Sequence, residues 1–253
     1  MQKSGYLSDK QLNDFDRDGF LIIRRLCELE ELHNITQWTE EVASFPEVPG
    51  KYMMYFEQSK LEPHKRILSR VEDFVPYHAG FEKLFNMDKM FGIVSELFGE
   101  PAVLFKDKIN FKMSGGDGFK AHQDIQAGWD TYAKLHITAL VSIDESTPEN
   151  GCLELAAGHH KKGLIGEKWH PLEDDNEVRY VPYPMSPGDA VFFDSYTPHR
   201  SGPNLTDKPR RVLYVTYNRL SEGEHRAIYY ADKRRSYPPD CEREPGKTYV
   251  FRV

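Results

Sequence analysis

Residues 101–143 read PAVLFKDKINFKMSGGDGFKAHQDIQAGWDTYAKLHITALVSI, and this stretch decides the fold. It opens with a β-rich run over 102–112, breaks at Ser114-Gly-Gly-Asp-Gly118, resumes as a strand, and closes with a second run over 134–143. Four more short runs follow at 151–155, 178–183, 189–193 and 211–220. Alternating or β-rich runs cut by Gly, Pro, Asn and Asp are the pattern of an all-β sandwich or barrel. Upstream the texture is helical. Ser8-Asp-Lys-Gln11 has the form of a capping box, Leu12 and Phe15 begin an apolar stripe that stops near Gly19, and a short strand is expected over 20–23. Residues 28–45 predict a second helix closed by Pro46, Pro49 and Gly50. Residues 87–97 predict a third, with Met90, Ile93, Val94 and Leu97 on one face and Gly99 ending it. The intervening stretch 51–76 has weak periodicity and is expected to be mostly irregular.

Helices first and strands afterwards predict a mainly β fold with N-terminal helices: a double-stranded β-helix (jelly roll, cupin-like) with helices buttressing one sheet. The expected organisation is a single domain over 1–253. In it, residues 1–100 form a helical N-terminal support and lid, 101–222 the jelly-roll core, and 223–253 a C-terminal tail wrapping the surface or a site rim. The acidic segment 173–177 reads as a solvated loop.

At 253 residues the chain is long enough to bury a substantial core. A net charge of -7 lacks the basic excess of a nucleic-acid binder. No apolar run approaches the roughly 18 residues of a membrane span, and the first twenty residues have no apolar segment behind a basic start, so a cytoplasmic protein is expected. Cys27, Cys152 and Cys241 are far apart, form no C-x-x-C pair, and read as reduced thiols. The triplets Asn34-Ile-Thr36 and Asn204-Leu-Thr206 matter as glycosylation acceptors only in a secreted protein.

His122-Gln-Asp124 follows the glycine-rich turn where a strand resumes. Residues two apart on a strand point to one side, so an imidazole and a carboxylate can converge on one ion. Alone, the triplet reads more readily as a surface turn. His199 lies behind the apolar run Ala190-Val-Phe-Phe-Asp194, and two histidines with one carboxylate on facing strands leave open positions for oxygen chemistry at Fe(II). Eleven residues further on, Arg210 begins a strand and offers a two-pronged grip on the distal carboxylate of a dicarboxylate. Each signal is weak singly. Their order along the chain makes them strong together.

On these residues the chain resembles the phytanoyl-CoA dioxygenase family of iron and 2-oxoglutarate enzymes. The likeness also covers Phe15-Asp-Arg-Asp-Gly-Phe-Leu-Ile-Ile23, Glu149-Asn-Gly-Cys-Leu153, Pro187-Gly-Asp189 and His199-Arg-Ser-Gly-Pro-Asn204. It implies that His122, Asp124 and His199 are catalytic metal ligands for Fe(II), and that O2 is used with 2-oxoglutarate, ascorbate being supportive in vitro. It further implies that Arg210 clamps the cosubstrate with Ser201 in support, and that Asn110 and Lys108 are second contacts. The family's usual Pro-Gly-Ser-His is replaced by Ala157-Gly-His-His160, in a turn away from the metal. Halogenating relatives replace the metal carboxylate with a small residue; Asp124 is present, which implies hydroxylation.

For the substrate, Lys120, Gln126, Trp129 and His136 lie around the motif, and Tyr52, Tyr55, Arg66 and Arg70 upstream are expected as lid residues. Cations beside a metal point to a small anionic or zwitterionic molecule. The segments 51–56, 66–72 and 243–249 resemble the branch of the family that hydroxylates organophosphonates such as 2-aminoethylphosphonate. An amino-acid-derived or secondary-metabolite substrate, and outside catalysis a jelly-roll metal- or ligand-binding protein, remain as alternatives. Oligomeric state is not legible in the sequence.

Overall fold

A computed structural model describes residues 5–85, 88–173 and 177–250. Helix α1 (Asp9–Asp18) begins in the expected capping box: the Ser8 side chain accepts from the Gln11 backbone N–H, and Gln11 accepts from the Ser8 N–H at 3.0 Å. Gly19, at φ +83°, ends it in the left-handed conformation that L side chains avoid. There follow β1 (Phe20–Ile23), α2 (Leu29–Ala43), β2 (Met53–Gln58), β3 (Arg66–Glu72), α3 (Ala79–Phe85) and α4 (Asp88–Phe98). The β-rich half contributes β4 (Ala102–Lys112), β5 (Phe119–His122), β6 (His136–Ser142), β7 (Leu153–Leu155), β8 (Val181–Pro182), β9 (Ala190–Asp194), β10 (His199–Ser201) and β11 (Arg210–Arg219), and α5 (Arg226–Ser236) closes the order.

The strands form two antiparallel sheets, a seven-stranded one in the order β1-β9-β6-β11-β4-β3-β2 and a four-stranded one in the order β5-β10-β7-β8. Strand alternation sorts the large sheet into two faces. Ile109, Phe111, Ile137, Ala139, Val141, Leu213, Val215 and Tyr217 share a buried cluster with Ile35 and Val42 of α2, Phe81 and Phe85 of α3, and Ile93 and Val94 of α4. Leu140, Val191, Phe193 and Val212 point the other way, onto Leu153 and Leu155 of the small sheet. Each such side chain fully buried contributes about 1.5–3 kcal/mol. The helices therefore buttress one face of a jelly roll, as the sequence predicts, and the other face of the large sheet looks into the space between the sheets.

Two expectations are corrected. Residues 51–76 are not irregular: β2 and β3 pair as a hairpin and β3 continues onto β4, so the first hundred residues supply three strands of the large sheet as well as helices. A register shift between Tyr55 and Phe56 breaks the alternation, and the positions facing the cavity hold Tyr55, Arg70 and Glu72 in place of aliphatic residues, which hid the strands. The tail contains α5, and Lys233, Ser236, Tyr237 and Val250 of it line the cavity. The run expected over 178–183 contracts to the two residues of β8. Met87 and residues 174–176 of the acidic loop lie outside the described residues. Among the described residues no helix is long and apolar enough to cross a membrane.

Candidate metal centre and active site

His122 ends β5 and His199 begins β10, and the two are direct cross-strand partners. Their rings lie 4.2 Å apart between centroids. The short helical turn starting at Asp124 swings its carboxylate back, so Oδ1 lies 3.9 Å from His122 Nε2 and 3.9 Å from His199 Nε2. One ligand atom from each of the three lies within 4.8 Å of the others, the spacing of a single ion. Both rings are held in the tautomer that metal binding needs. Nδ1 of His122 donates to the Lys120 carbonyl at 2.7 Å and Nδ1 of His199 to the Thr197 carbonyl at 3.0 Å, which leaves both Nε2 lone pairs facing Asp124. Thr138, on the inward face of β6, donates to Asp124 Oδ2 at 3.3 Å. Burial, then neighbouring His199, lowers the His122 pKa to about 3, and burial lowers that of His199, so both stay neutral as ligands must. Burial works to raise the Asp124 pKa, but His199, His122, Lys108 and Lys106 bring it below the ordinary carboxylate value.

Close backbone approach fixes the strand carrying His199. A Cβ on Gly118 would meet the Ser201 carbonyl oxygen at 2.3 Å, and one on Gly151 the Gly202 carbonyl oxygen at 2.1 Å. Beside this contact lies a pair of buried cations. Arg210 is 2% exposed; its Nη1 reaches only Ser146 Oγ, at 3.5 Å, and its Nε is buried without a hydrogen-bond partner among the described residues. Its cross-strand partner is Lys112, also buried, whose ammonium donates to Ser201 Oγ at 2.8 Å, the Gly202 carbonyl at 2.5 Å and the Gly151 carbonyl at 3.3 Å. Burial and then Arg210 pull the Lys112 pKa down to about 6. A guanidinium buried this deeply without a carboxylate is costly unless an anion joins it. That orphaned donor set fits the distal carboxylate of 2-oxoglutarate, and the triad fits Fe(II).

The cavity over the triad has two adjoining lobes. One, of about 370 Å³, is lined by Asn110, Lys112 and Lys120 among others. The other, of about 280 Å³, is lined by Asp124, Lys106, Lys108, Lys233 and Trp129. Arg70, Phe119, His122 and Tyr237 line both. In the second lobe Arg70, Lys106 and Lys233 gather around the buried carboxylate of Glu72. Burial would raise the Glu72 pKa, yet Lys106, Lys233 and Arg70 hold it well below the carboxylate range. Lys108 stands on the same face of β4 with its ammonium 4.3 Å from the Tyr214 ring centre, and burial followed by Lys106 lowers its pKa to about 7.

The expected site residues fall into three groups. His122, Asp124, Asn110 and Lys108 line the cavity, His199 completes the triad, and Arg210 and Ser201, outside the lining, flank Lys112, which is part of it. Lys120, Trp129 and Arg70 line the cavity, Lys120 from an exposed position. Tyr52, Gln126 and His136 are absent from the lining. Tyr52 stands one residue before β2, at the opposite parity from Tyr55: its ring packs 4.6 Å from Phe45 and its hydroxyl donates to the Pro46 carbonyl at 2.6 Å, on the helix side of the sheet. Tyr55 is the tyrosine that faces the cavity. His136 sits in the wall between Phe105 and Trp129, with ring centroids 4.4 and 5.2 Å away. Gln126 is spent on backbone, its amide donating to the Glu167 and His170 carbonyls at 2.8 and 2.7 Å. Lys106, Lys112, Glu72 and Lys233 also belong to the charges of the site, although an isolated Lys or Glu in sequence reads as a solvated charge. The signal available was parity: Lys106, Lys108, Asn110 and Lys112 are each two apart on one strand.

Gln123, between the two ligands, points away from them. Its amide donates to the Gly163 and Tyr196 carbonyls at 2.8 and 2.6 Å and accepts from the Ile165 N–H at 2.7 Å. Gln123→Ala orphans these three backbone groups and is expected to cost about 2–4 kcal/mol, lowering the unfolding temperature by roughly 5–10 °C. Thermal unfolding checks this; an unchanged transition means that the 163–165 segment is not held by this side chain.

Two histidines and a carboxylate with open coordination positions, set in a jelly roll beside a buried guanidinium without a carboxylate partner, belong here to a non-haem iron dioxygenase that uses 2-oxoglutarate and O2. More narrowly, the chain belongs to the phytanoyl-CoA dioxygenase (PhyH) family, whose match spans residues 15–212. It is 42% identical over 258 residues to 2-aminoethylphosphonate dioxygenase from an uncultured bacterium (HF130_AEPn_1), covering 96% of this chain and 94% of that protein. It is 41% identical over 234 residues to methylphosphonate hydroxylase from Gimesia maris, covering 91% and 88%. Among solved structures, EctD from S. alaskensis with 2-oxoglutarate and 5-hydroxyectoine shares the fold, with a TM-score of 0.74 at 20% identity over 88% of this chain and 79% of that one.

Proposed function

We propose that this enzyme hydroxylates a small organophosphonate, with 2-aminoethylphosphonate the first candidate, as a cytoplasmic catalyst acting on a free small molecule and on neither nucleic acid nor membrane. The observation that carries this reading is the lobe beside Asp124, whose wall gathers Arg70, Lys106, Lys108 and Lys233 in about 280 Å³. That volume lies at the small end of ligand pockets, and its cations call for an anionic head group. The two phosphonate-acting relatives, similar over nearly the whole chain, support it.

His122, Asp124 and His199 would hold Fe(II) on one side, leaving its other positions to cosubstrate and O2. Arg210, supported by Ser201 and the neighbouring Lys112, would take the distal carboxylate of 2-oxoglutarate, with Asn110 and Lys108 reaching it from β4. When bound, iron and 2-oxoglutarate supply the oxidising power: O2 converts 2-oxoglutarate to succinate and CO2 and places the second oxygen atom in a substrate C–H bond. The chain's own task is to orient that bond and to keep water out, which the rings of Phe119, Trp129, Tyr229 and Tyr237 around the lobe serve.

The test is an aerobic screen for succinate with Fe(II), ascorbate and 2-oxoglutarate, in which small phosphonates, betaines and amino acids are compared side by side. Phosphonate-dependent succinate, lost under nitrogen, is the expected result. Turnover of a betaine or amino acid with no response to any phosphonate would overturn the reading.

A further inference from the structure

Three elements deliver cations to one carboxylate in the second lobe. Glu72, 1% exposed at the end of β3, has Oε1 3.0 Å from Arg70 Nε, and its Oε2 lies 2.5 Å from Lys233 Nζ of α5 and 3.7 Å from Lys106 Nζ of β4. Arg70 and Lys106 are themselves buried. Aromatic faces back the ammonium groups: Lys106 Nζ lies 5.2 Å from the Trp129 ring centre, and Lys233 Nζ 5.8 Å from that of Tyr55. A single surface salt bridge needs one cation per carboxylate. Here one carboxylate fixes the geometry of three cations at the edge of a cavity and is outnumbered by them. Asp124, in the same lobe, is committed to the metal, and Asp232 accepts from the Tyr132 hydroxyl and pairs with Arg235. Removing water behind the rings strengthens the attraction for any anion placed among these cations, and two charges on it gain twice what one does.

We propose that the Glu72 cluster is a dianion-selective oxyanion site, in which Arg70, Lys106 and Lys233, held in place by Glu72, bind the doubly charged tetrahedral head of the substrate and discriminate against singly charged isosteres. It rests on the reading of the enzyme as an organophosphonate hydroxylase and adds what that reading leaves open: which residues choose a phosphonate over a sulfonate or carboxylate. Glu72 acts as a positioning residue, setting where the three cations stand.

The experiment is calorimetric binding under nitrogen to the enzyme loaded with Fe(II) and 2-oxoglutarate, using methylphosphonate and methanesulfonate as probes, for the native chain and for Lys106→Met, Lys233→Met and Lys233→Arg. The native chain should prefer methylphosphonate by about tenfold or more. Each Met variant should weaken methylphosphonate about 30-fold or more and methanesulfonate by only about the square root of that, roughly fivefold, with 2-oxoglutarate affinity unchanged; Lys233→Arg should recover most of the loss. Equal weakening of both probes, or native methylphosphonate affinity in both Met variants, overturns the proposal. Failure here with phosphonate turnover intact in the succinate screen removes only the assignment of the cluster; absence of any phosphonate turnover removes the functional reading itself.

Discussion

Asp124→Ala is expected to abolish turnover, while the metal-free variant unfolds within about 3 °C of the native chain. The two effects separate because Asp124 serves the ion more than the fold. Its only described hydrogen bond from a neighbouring side chain is the 3.3 Å contact from Thr138, whose hydroxyl also lies 2.9 Å from Thr216 Oγ1 and keeps that partner. The histidines beside it are neutral by burial, and Lys106 keeps the Glu72 carboxylate as a partner, so removing Asp124 leaves neither ligand ring charged nor that ammonium alone. With the ion the arithmetic reverses. A ligand at a hundred times its dissociation constant stabilises the folded state by about 2.7 kcal/mol, and Fe(II) should therefore raise the native transition visibly. In the variant two neutral imidazoles face the ion alone, its affinity collapses, and the shift should vanish. Calorimetry with and without Fe(II) under nitrogen, together with succinate formation, reads both halves. Oxygen consumption at the native rate, or an undiminished iron-induced shift, would show that the metal sits elsewhere.

The same contrast between buried charge and solvated charge explains what the sequence disclosed. The apolar elements were legible: β1, β4, β6, β9 and β11 carry short runs rich in aliphatic and aromatic residues, and α1 announces itself through Ser8, Gln11 and Gly19. The triad was legible too, because metal ligands must come from a short menu and His122-x-Asp124 obeys the strand period. Arg210 was legible through its place at the start of a strand. The hairpin β2-β3 was not, since its cavity-facing positions are filled by Tyr55, Arg70 and Glu72, the reverse of the usual alternation. Helix α5 was hidden in the same way: Lys233 is one of several charges along Arg226-Ala-Ile-Tyr-Tyr-Ala-Asp-Lys-Arg-Arg-Ser236, and nothing local says that it turns inward to Glu72. Buried polarity is specified by partners far along the chain, Glu72 with Lys233 and Lys112 with Ser201, and so it is written in the fold and not in any one segment. The places where local reasoning fails are the places where the cavity is built.

Arg210→Met should weaken 2-oxoglutarate by about two orders of magnitude or more and at the same time leave the free protein as stable as the native chain or more so. A buried guanidinium normally repays its desolvation through a carboxylate; here the only described hydrogen bond is the 3.5 Å contact to Ser146, and the group across from it is an amine, Lys112, and not an anion. Burial already pushes the Arg210 pKa down. Replacing a buried ionic group by an apolar one of similar size is often neutral or stabilising by about 1–4 kcal/mol, and Met fills the same slot. The sign for Lys112 follows. Arg210 is the second cause, after burial, of its depressed pKa near 6, so removing Arg210 lets that pKa rise and leaves the ammonium more fully charged at neutral pH. Lys112 then replaces part of the lost attraction, which keeps the loss below what a site without a second cation would suffer and makes the residual 2-oxoglutarate affinity of Arg210→Met fall as pH climbs through the new Lys112 pKa. The readouts are the 2-oxoglutarate KM against kcat, Fe(II) affinity without cosubstrate, and thermal unfolding. Iron affinity should hold and KM should carry most of the effect. A variant that loses several kcal/mol of stability and keeps its native 2-oxoglutarate KM would make Arg210 a structural residue, and the cosubstrate's distal carboxylate would need another partner.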